Sequence, residues 1–179
     1  MKAWQFESYG PYHEVLKWSE REMPIAKTDT AIVKTSAVSL NFPDLLVCQG
    51  LYQVKTPLPA VPGVEGIGVV ESAGPSSKFQ AGDRVAGFCH GGGTLAEYFA
   101  VTNNSAWLVP DFVSDEAGAA LSVTYGTSYF GLAHRAHLQV GETLLVLGGA
   151  GGVGLAAIQL GKLMGATVIA AVGSQKKME

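Results

Sequence analysis

The strongest chemical signal in the chain is the run Gly149-Ala150-Gly151-Gly152-Val153-Gly154, a G-x-G-x-x-G. Glycine at the first position of such a run permits a tight turn. At the second it lets the backbone approach a pyrophosphate, and at the third it lets a helix pack closely on its strand. The start of the following helix adds unpaired N–H groups and a partial positive charge. The pattern is weak alone, and its surroundings decide its meaning. The apolar run Leu144-Leu145-Val146-Leu147 precedes it, a helix is expected over Val153–Met164, and a second strand over Thr167–Val172. In that setting Gly149, Gly151, Gly152, Val153 and Gly154 are candidate contacts to a dinucleotide's phosphates, with a purely structural glycine turn as the alternative.

The end of the second strand bears on which dinucleotide. A site selecting NAD usually places Asp or Glu there to accept from the ribose hydroxyls. This sequence has Gly173-Ser174 instead, followed by Lys176 and Lys177. A hydroxyl and cations in place of a carboxylate suit a 2′-phosphate, so NADPH/NADP is expected, with Gly173, Ser174 and Lys177 among its contacts. The competing reading is that two lysines at this position are ordinary solvated charge.

The elements that hold this loop read as one βαβ unit, with strand Thr143–Leu147, helix Val153–Met164 and strand Thr167–Val172. The charge-free window Thr143–Gly161 is nineteen residues long, enough to span a bilayer, yet six of them are glycine. The glycines cut the window into strand, turn and helix, so no membrane partner is expected. Upstream, Ser114-Asp115-Glu116 resembles an N-cap with acidic first-turn residues opening a helix over Ala117–Leu121, and a second helix is expected over Thr124–His134. Before about Val109 the chain reads as short strands, 31–35, 66–71, 84–88 and 96–101, with one short helix within Asn41–Gln49. Seven of the eight prolines precede residue 100, which keeps long helices out of this part and favours a β module.

Composition sets the outer bounds. With 179 residues, 47% of them hydrophobic and 15% charged, the chain can bury a sizeable core and is not disordered. Twelve basic residues stand against fifteen acidic ones without any basic block, so nucleic acid is not an expected partner. Cys48 and Cys89 are too few for a disulfide framework, and His13, His90, His134 and His137 share no metal spacing. The N-terminal residues lack the apolar core of a secretion signal, and the expectation is a cytoplasmic protein.

Taken together, these residues resemble the medium-chain dehydrogenase/reductase superfamily, and within it the zinc-free NADPH:quinone oxidoreductases of the zeta-crystallin-like group. The matching pieces are 39–44 (Ser-Leu-Asn-Phe-Pro-Asp), 50–52 (Gly-Leu-Tyr), 62–70, 82–85, 92–98 and the glycine loop with its helix, and their order and spacing are more specific than any one of them. The resemblance implies an α/β chain with a β-rich N-terminal part. A GroES-like catalytic domain, 1–122, is followed by the first βαβ part of a Rossmann NADP-binding domain, 123–179, with the active site between them. Only two strands of the usual six or so of such a sheet can be read, so a truncated Rossmann domain is expected.

In the zinc-dependent branch, the segment that begins here at Asn41 starts with a cysteine ligand and the segment here reading Gly63-Val64-Glu65 carries a histidine ligand. Neither is present in this sequence, and four closely spaced cysteines for a second zinc are missing. Without a Lewis acid to polarise an ordinary ketone, the acceptor must already be electron-poor. The expected partner is a quinone or another α,β-unsaturated carbonyl. By resemblance Asn41 and Tyr52 line the pocket, either hydrogen-bonding the developing oxyanion. Asp44 matches a family position but equally suits capping of the short helix. Tyr52 is equally at home as half-buried packing. Thr127 falls where the family places a hydroxyl near the nicotinamide, or bonds its own helix backbone. Glu65, framed by Gly63 and Gly66, is expected in an internal polar network. The resemblance also implies a homodimer for a full-length chain. Two other readings stay open, a noncatalytic structural or binding protein of the same fold, and a fragment inactive without the rest of its Rossmann domain.

Overall fold

The structure is a computed structural model and describes residues 1–178. The chain divides into two compact units, Met1–Ala120 and a second beginning at Leu121.

In the first unit, strand β1 (Lys2–Gln5), helix α1 (Tyr12–Val15) and strand β2 (Lys17–Glu20) come first, and β1 pairs antiparallel with β2 from Lys2↔Glu20 to Gln5↔Lys17. Then follow β3 (Thr30–Ser39), helix α2 (Phe42–Gln49), β4 (Glu65–Ala73), β5 (Arg84–Phe88), β6 (Tyr98–Thr102), β7 (Ala106–Leu108) and helix α3 (Asp115–Ala119). The five strands after β2 form an antiparallel sheet in the order β6-β3-β4-β5-β7. Two register shifts in β3, at Ile32/Val33 and Thr35/Ala37, bend it against β4. Alternation along the strands gives the sheet two apolar faces. One buries Val33, Val70, Val85, Phe99 and Val101, and the other packs Ile67 and Ala86 beneath Ala119 of α3. The Arg84 guanidinium holds α3 in place, donating to the Pro110 carbonyl (2.9 Å) and the Val113 carbonyl (2.7 Å) while pairing with Asp115. Ser114 caps α3 as its sequence predicts, accepting from the Ala117 N–H at 3.2 Å, and the helix begins earlier than the predicted Ala117.

The second unit contains α4 (Thr124–Tyr129), β8 (Thr143–Leu147), α5 (Gly152–Leu163) and β9 (Thr167–Ala171), closed by a single 3-10 turn, Gln175–Lys177. Strands β8 and β9 are parallel, in register from Thr143↔Thr167 to Leu147↔Ala171. The predicted helix over Thr124–His134 is corrected: its second half, Phe130–Arg135, opens into the wider π geometry. Val146 and Ala156 are buried between sheet and helix, whereas Leu147, Ile169 and Leu145 are more than half exposed. The charge-free window is a strand, a turn and a helix, and among the described residues no helix is long and apolar enough to cross a membrane.

Candidate functional site

The start of α2 is built from polar groups of three segments. Asn41, extended (φ -121°, ψ 153°), is the N-cap, and Pro43 sits in the first turn, where its missing N–H costs nothing. The Asp44 carboxylate accepts the Asn41 N–H through Oδ2 (2.8 Å) and the Gly63 N–H through Oδ1 (3.1 Å). The Asn41 side chain donates from Nδ2 to Oε1 of Glu65, the first residue of β4, at 2.9 Å. Asp44 and Glu65 are both buried, so water cannot serve these bonds and the protein must. Gly63 has φ +92°, and a Cβ there would meet the Thr94 hydroxyl and come within 2.9 Å of the Leu95 amide nitrogen, so the backbone is admitted only as glycine. Thr94 Oγ1 is itself buried with no partner among the described residues.

Loss of solvation pushes the Asp44 pKa up from 3.8, the N–H bonds from Asn41 and Gly63 oppose the rise, and the nearby charge of Glu65 adds to it. Of the two roles the sequence left for Asp44, the geometry supports the cap. Both its oxygens are held by backbone N–H groups. Glu65 lies in the internal polar network, as expected. Burial raises the Cys48 thiol pKa, as does Asp44, and pushes that of Cys89 up to about 12, so neither thiol is a nucleophile at neutral pH.

Tyr52 is at the other end of α2. Gly50 caps the helix in the left-handed region (φ 68°), and the Tyr52 N–H donates to the Leu46 carbonyl at 3.3 Å. Asn41 and Tyr52 are therefore separated by an eight-residue helix, ~12 Å of rise. Tyr52 is 37% exposed, and its phenol makes no hydrogen bond among the described residues.

The glycine loop leaves the carboxyl end of β8. The left-handed turn residue is Gly148 (φ 71°), one residue before the motif. Gly149 instead makes a close approach, a Cβ there lying 3.0 Å from Ala170 Cβ and 3.1 Å from Ile158 Cδ1. Gly151 is the N-cap of α5 and presents no capping side chain, and the N–H groups of Gly152, Val153 and Gly154 are first-turn donors without intrahelical acceptors. A Cβ on Gly154 would run into the Gly148 carbonyl, so the third glycine packs the helix against the loop. A cradle of backbone N–H groups with no capping side chain fits an anion such as a dinucleotide pyrophosphate.

Gly173, Ser174 and Lys177 follow β9, and the Gly149 N–H donates to the Ala171 carbonyl (3.0 Å), so both loops emerge from the same end of the parallel pair. Ligands of open α/β sheets bind outside the carboxyl ends of the strands. All three residues are exposed, and the Lys177 N–H closes a turn onto the Ser174 carbonyl at 3.1 Å.

Thr127, on α4, is exposed, and no side-chain hydrogen bond ties it to its own helix among the described residues. Its neighbour Ser128, which no sequence motif marks, is buried and donates to the Val153 carbonyl at 2.9 Å. Tyr125 reaches Gln159 on the same helix pair. No local signal marks Ser128, because its partner is 25 residues away. Among the described residues no group of three or more His, Cys, Asp or Glu is placed to hold a metal ion.

Comparison with known proteins gives this geometry its family. Residues 27–111 match the alcohol dehydrogenase GroES-like domain. The chain is 37% identical to the quinone oxidoreductase of Pongo abelii over 173 residues, 96% of this chain and 52% of the relative. Its fold matches a probable oxidoreductase from Mycobacterium abscessus with a TM-score of 0.90 at 44% identity, covering 98% of this chain and 56% of that one. The quinone oxidoreductase of Thermus thermophilus, solved also in complex with NADPH, matches with a TM-score of 0.85 at 35% identity over 99% of this chain and 55% of its own. The chain belongs to the medium-chain dehydrogenase/reductase superfamily. It comprises a GroES-like β domain followed by a Rossmann-like βαβ unit, and spans about half the length of the curated relatives it matches.

Proposed function

We propose that this chain carries the NADPH-binding loop and part of the acceptor pocket of an oxidoreductase that passes a hydride to a quinone or related α,β-unsaturated carbonyl without zinc. The observation that carries the reading is the bare start of α5, whose N–H groups open at the carboxyl end of β8 beside a β9 terminus that offers a serine and lysines in place of an acid. The NADPH complex of the Thermus thermophilus relative supports the choice of cofactor. NADPH supplies a hydride when bound. The backbone N–H groups of Gly152, Val153 and Gly154 would hold its pyrophosphate, and Ser174 and Lys177 would hold its 2′-phosphate.

The segment beginning at Asn41 and the segment Gly63-Val64-Glu65 hold neither the thiolate nor the imidazole that a zinc site would need there. The acceptor must then delocalise the incoming negative charge itself, as a quinone or enone does. The Asn41 side chain already donates to Glu65, whereas the Tyr52 phenol is partly exposed and makes no hydrogen bond among the described residues. Tyr52 is therefore the better donor to the oxygen on which charge develops. The test is the loss of NADPH absorbance with 1,4-benzoquinone compared with a simple ketone such as cyclohexanone. Consumption with the quinone alone, insensitive to chelators, supports the reading. Equal rates with the ketone, or loss on chelation, overturn the zinc-free part of it.

A further inference from the structure

We infer that Ser128 is a positioning residue for the phosphate-binding loop, a reading that rests on the proposed cofactor site. Ser128 lies on α4, is 5% exposed, and donates from its hydroxyl to the Val153 carbonyl in the first turn of α5. That carbonyl belongs to the peptide joining Val153 to Gly154. The peptide is planar, so fixing its oxygen fixes the direction of the Gly154 N–H on its opposite edge. The Gly154 N–H is one of the first-turn donors of the cradle.

The hydroxyl does more than aim the group. A carbonyl that accepts a hydrogen bond polarises its own peptide, which makes the N–H of the same unit a stronger donor. Within α5 the Val153 carbonyl already faces the Ala157 N–H by helix geometry. The Ser128 bond is thus additional to what the helix needs, and its effect falls on the loop.

Ser128 does not act from an isolated position. Thr124, four residues earlier and on the same helix face, has its methyl 3.2 Å from where a Cβ on Gly152 would sit, and Tyr125 reaches Gln159. One face of α4 therefore braces the start of α5, and Thr127 is not on it. The loop-facing hydroxyl of α4 is that of Ser128, the residue after Thr127.

The test compares Ser128→Ala and Ser128→Thr with the unaltered chain in two measurements. The first is the amide proton shift of Gly154 in a ¹H–¹⁵N spectrum without cofactor. The second is the NADPH dissociation constant from nicotinamide fluorescence. The expected result is an upfield move of the Gly154 amide in Ser128→Ala, a threefold to tenfold weaker NADPH affinity, on the order of one lost hydrogen bond, and recovery of both in Ser128→Thr. An unchanged Gly154 shift with unchanged NADPH affinity, even alongside a lower melting temperature, makes Ser128 a packing residue and overturns the inference. If Ser128→Ala does not fold, Ser128→Cys, with a weaker donor of similar size, carries the same two measurements. An unaltered chain that binds no NADPH overturns the cofactor reading and this role with it. Binding by the unaltered chain that the variants match overturns this role alone.

Discussion

The two helix starts, of α2 and of α5, pose one electrostatic problem and solve it in opposite ways. Each presents first-turn N–H groups and the positive end of a helix dipole. At α2 the chain answers with its own anion, as Asp44, at the third helical position, reaches back to Asn41 and across to Gly63. At α5 the corresponding position is Gly154, the N-cap is Gly151, and no side chain of the first turn reaches back. A helix start filled by an internal carboxylate is complete as architecture. One left bare by glycine is available to an anion from outside. The contrast separates structural from ligand-binding polar groups in a chain where both are rich in glycine and short of charge.

The largest expected effect comes from emptying the filled start. Asp44→Ala leaves the Asn41 and Gly63 N–H groups without their acceptor, one of them buried, and should cost about 3 kcal/mol in urea unfolding. A cost below about 1 kcal/mol means that α2 does not depend on its carboxylate. Filling the bare start should do the reverse. Gly152→Asp places an anion in the first turn of α5, where only the Thr124 methyl must give way. It should weaken NADPH binding about thirtyfold by charge repulsion while leaving thermal stability level or slightly raised. If both fall together, the variant has damaged the fold and the comparison loses this support.

The pH dependence of stability sharpens the same contrast. Because burial raises the Asp44 pKa above 3.8, the folded state binds this proton more tightly than the unfolded one. Its contribution is full below pH 3.8 and declines as pH rises through the folded pKa. In urea titrations at a series of pH values, Asp44→Asn should remove that declining component. A slope that survives the substitution belongs to another group. The smallest effect is expected at the rim of the cradle. Lys177→Glu should weaken NADPH about threefold to tenfold and leave NADH nearly unchanged, since the exposed side chain meets only the 2′-phosphate. Equal changes for both cofactors would mean that Lys177 acts as general surface charge.

The parts legible from sequence were those whose causes are local. The β8–loop–α5–β9 unit shows in its apolar runs and glycines within a residue or two of the observed limits, and the Ser114 cap in three consecutive residues. The resemblance supplied the GroES-like domain from motifs spread along the chain, and the comparisons agree. What escaped depends on partners far apart in sequence or on backbone angles that composition does not encode. Strand β1 is held by β2, with Lys2 opposite Glu20, and neither is long enough to announce itself. Asn41 meets Glu65 from 24 residues away and Ser128 meets Val153 from 25. The left-handed turn fell to Gly148, one residue before the motif, because a run of neighbouring glycines leaves every one of them sterically free to take it. The widening of α4 at Phe130–Arg135 has no marker in residue type.

The most direct test of the claim that the start of α5 is a cofactor cradle is a titration of the chain with NADPH and, separately, NADH, followed by nicotinamide fluorescence. The account predicts saturable binding of NADPH, tighter than that of NADH. No saturable change with either cofactor would contradict the cradle itself, and NADH binding as tightly as NADPH would contradict the role given to Ser174 and Lys177.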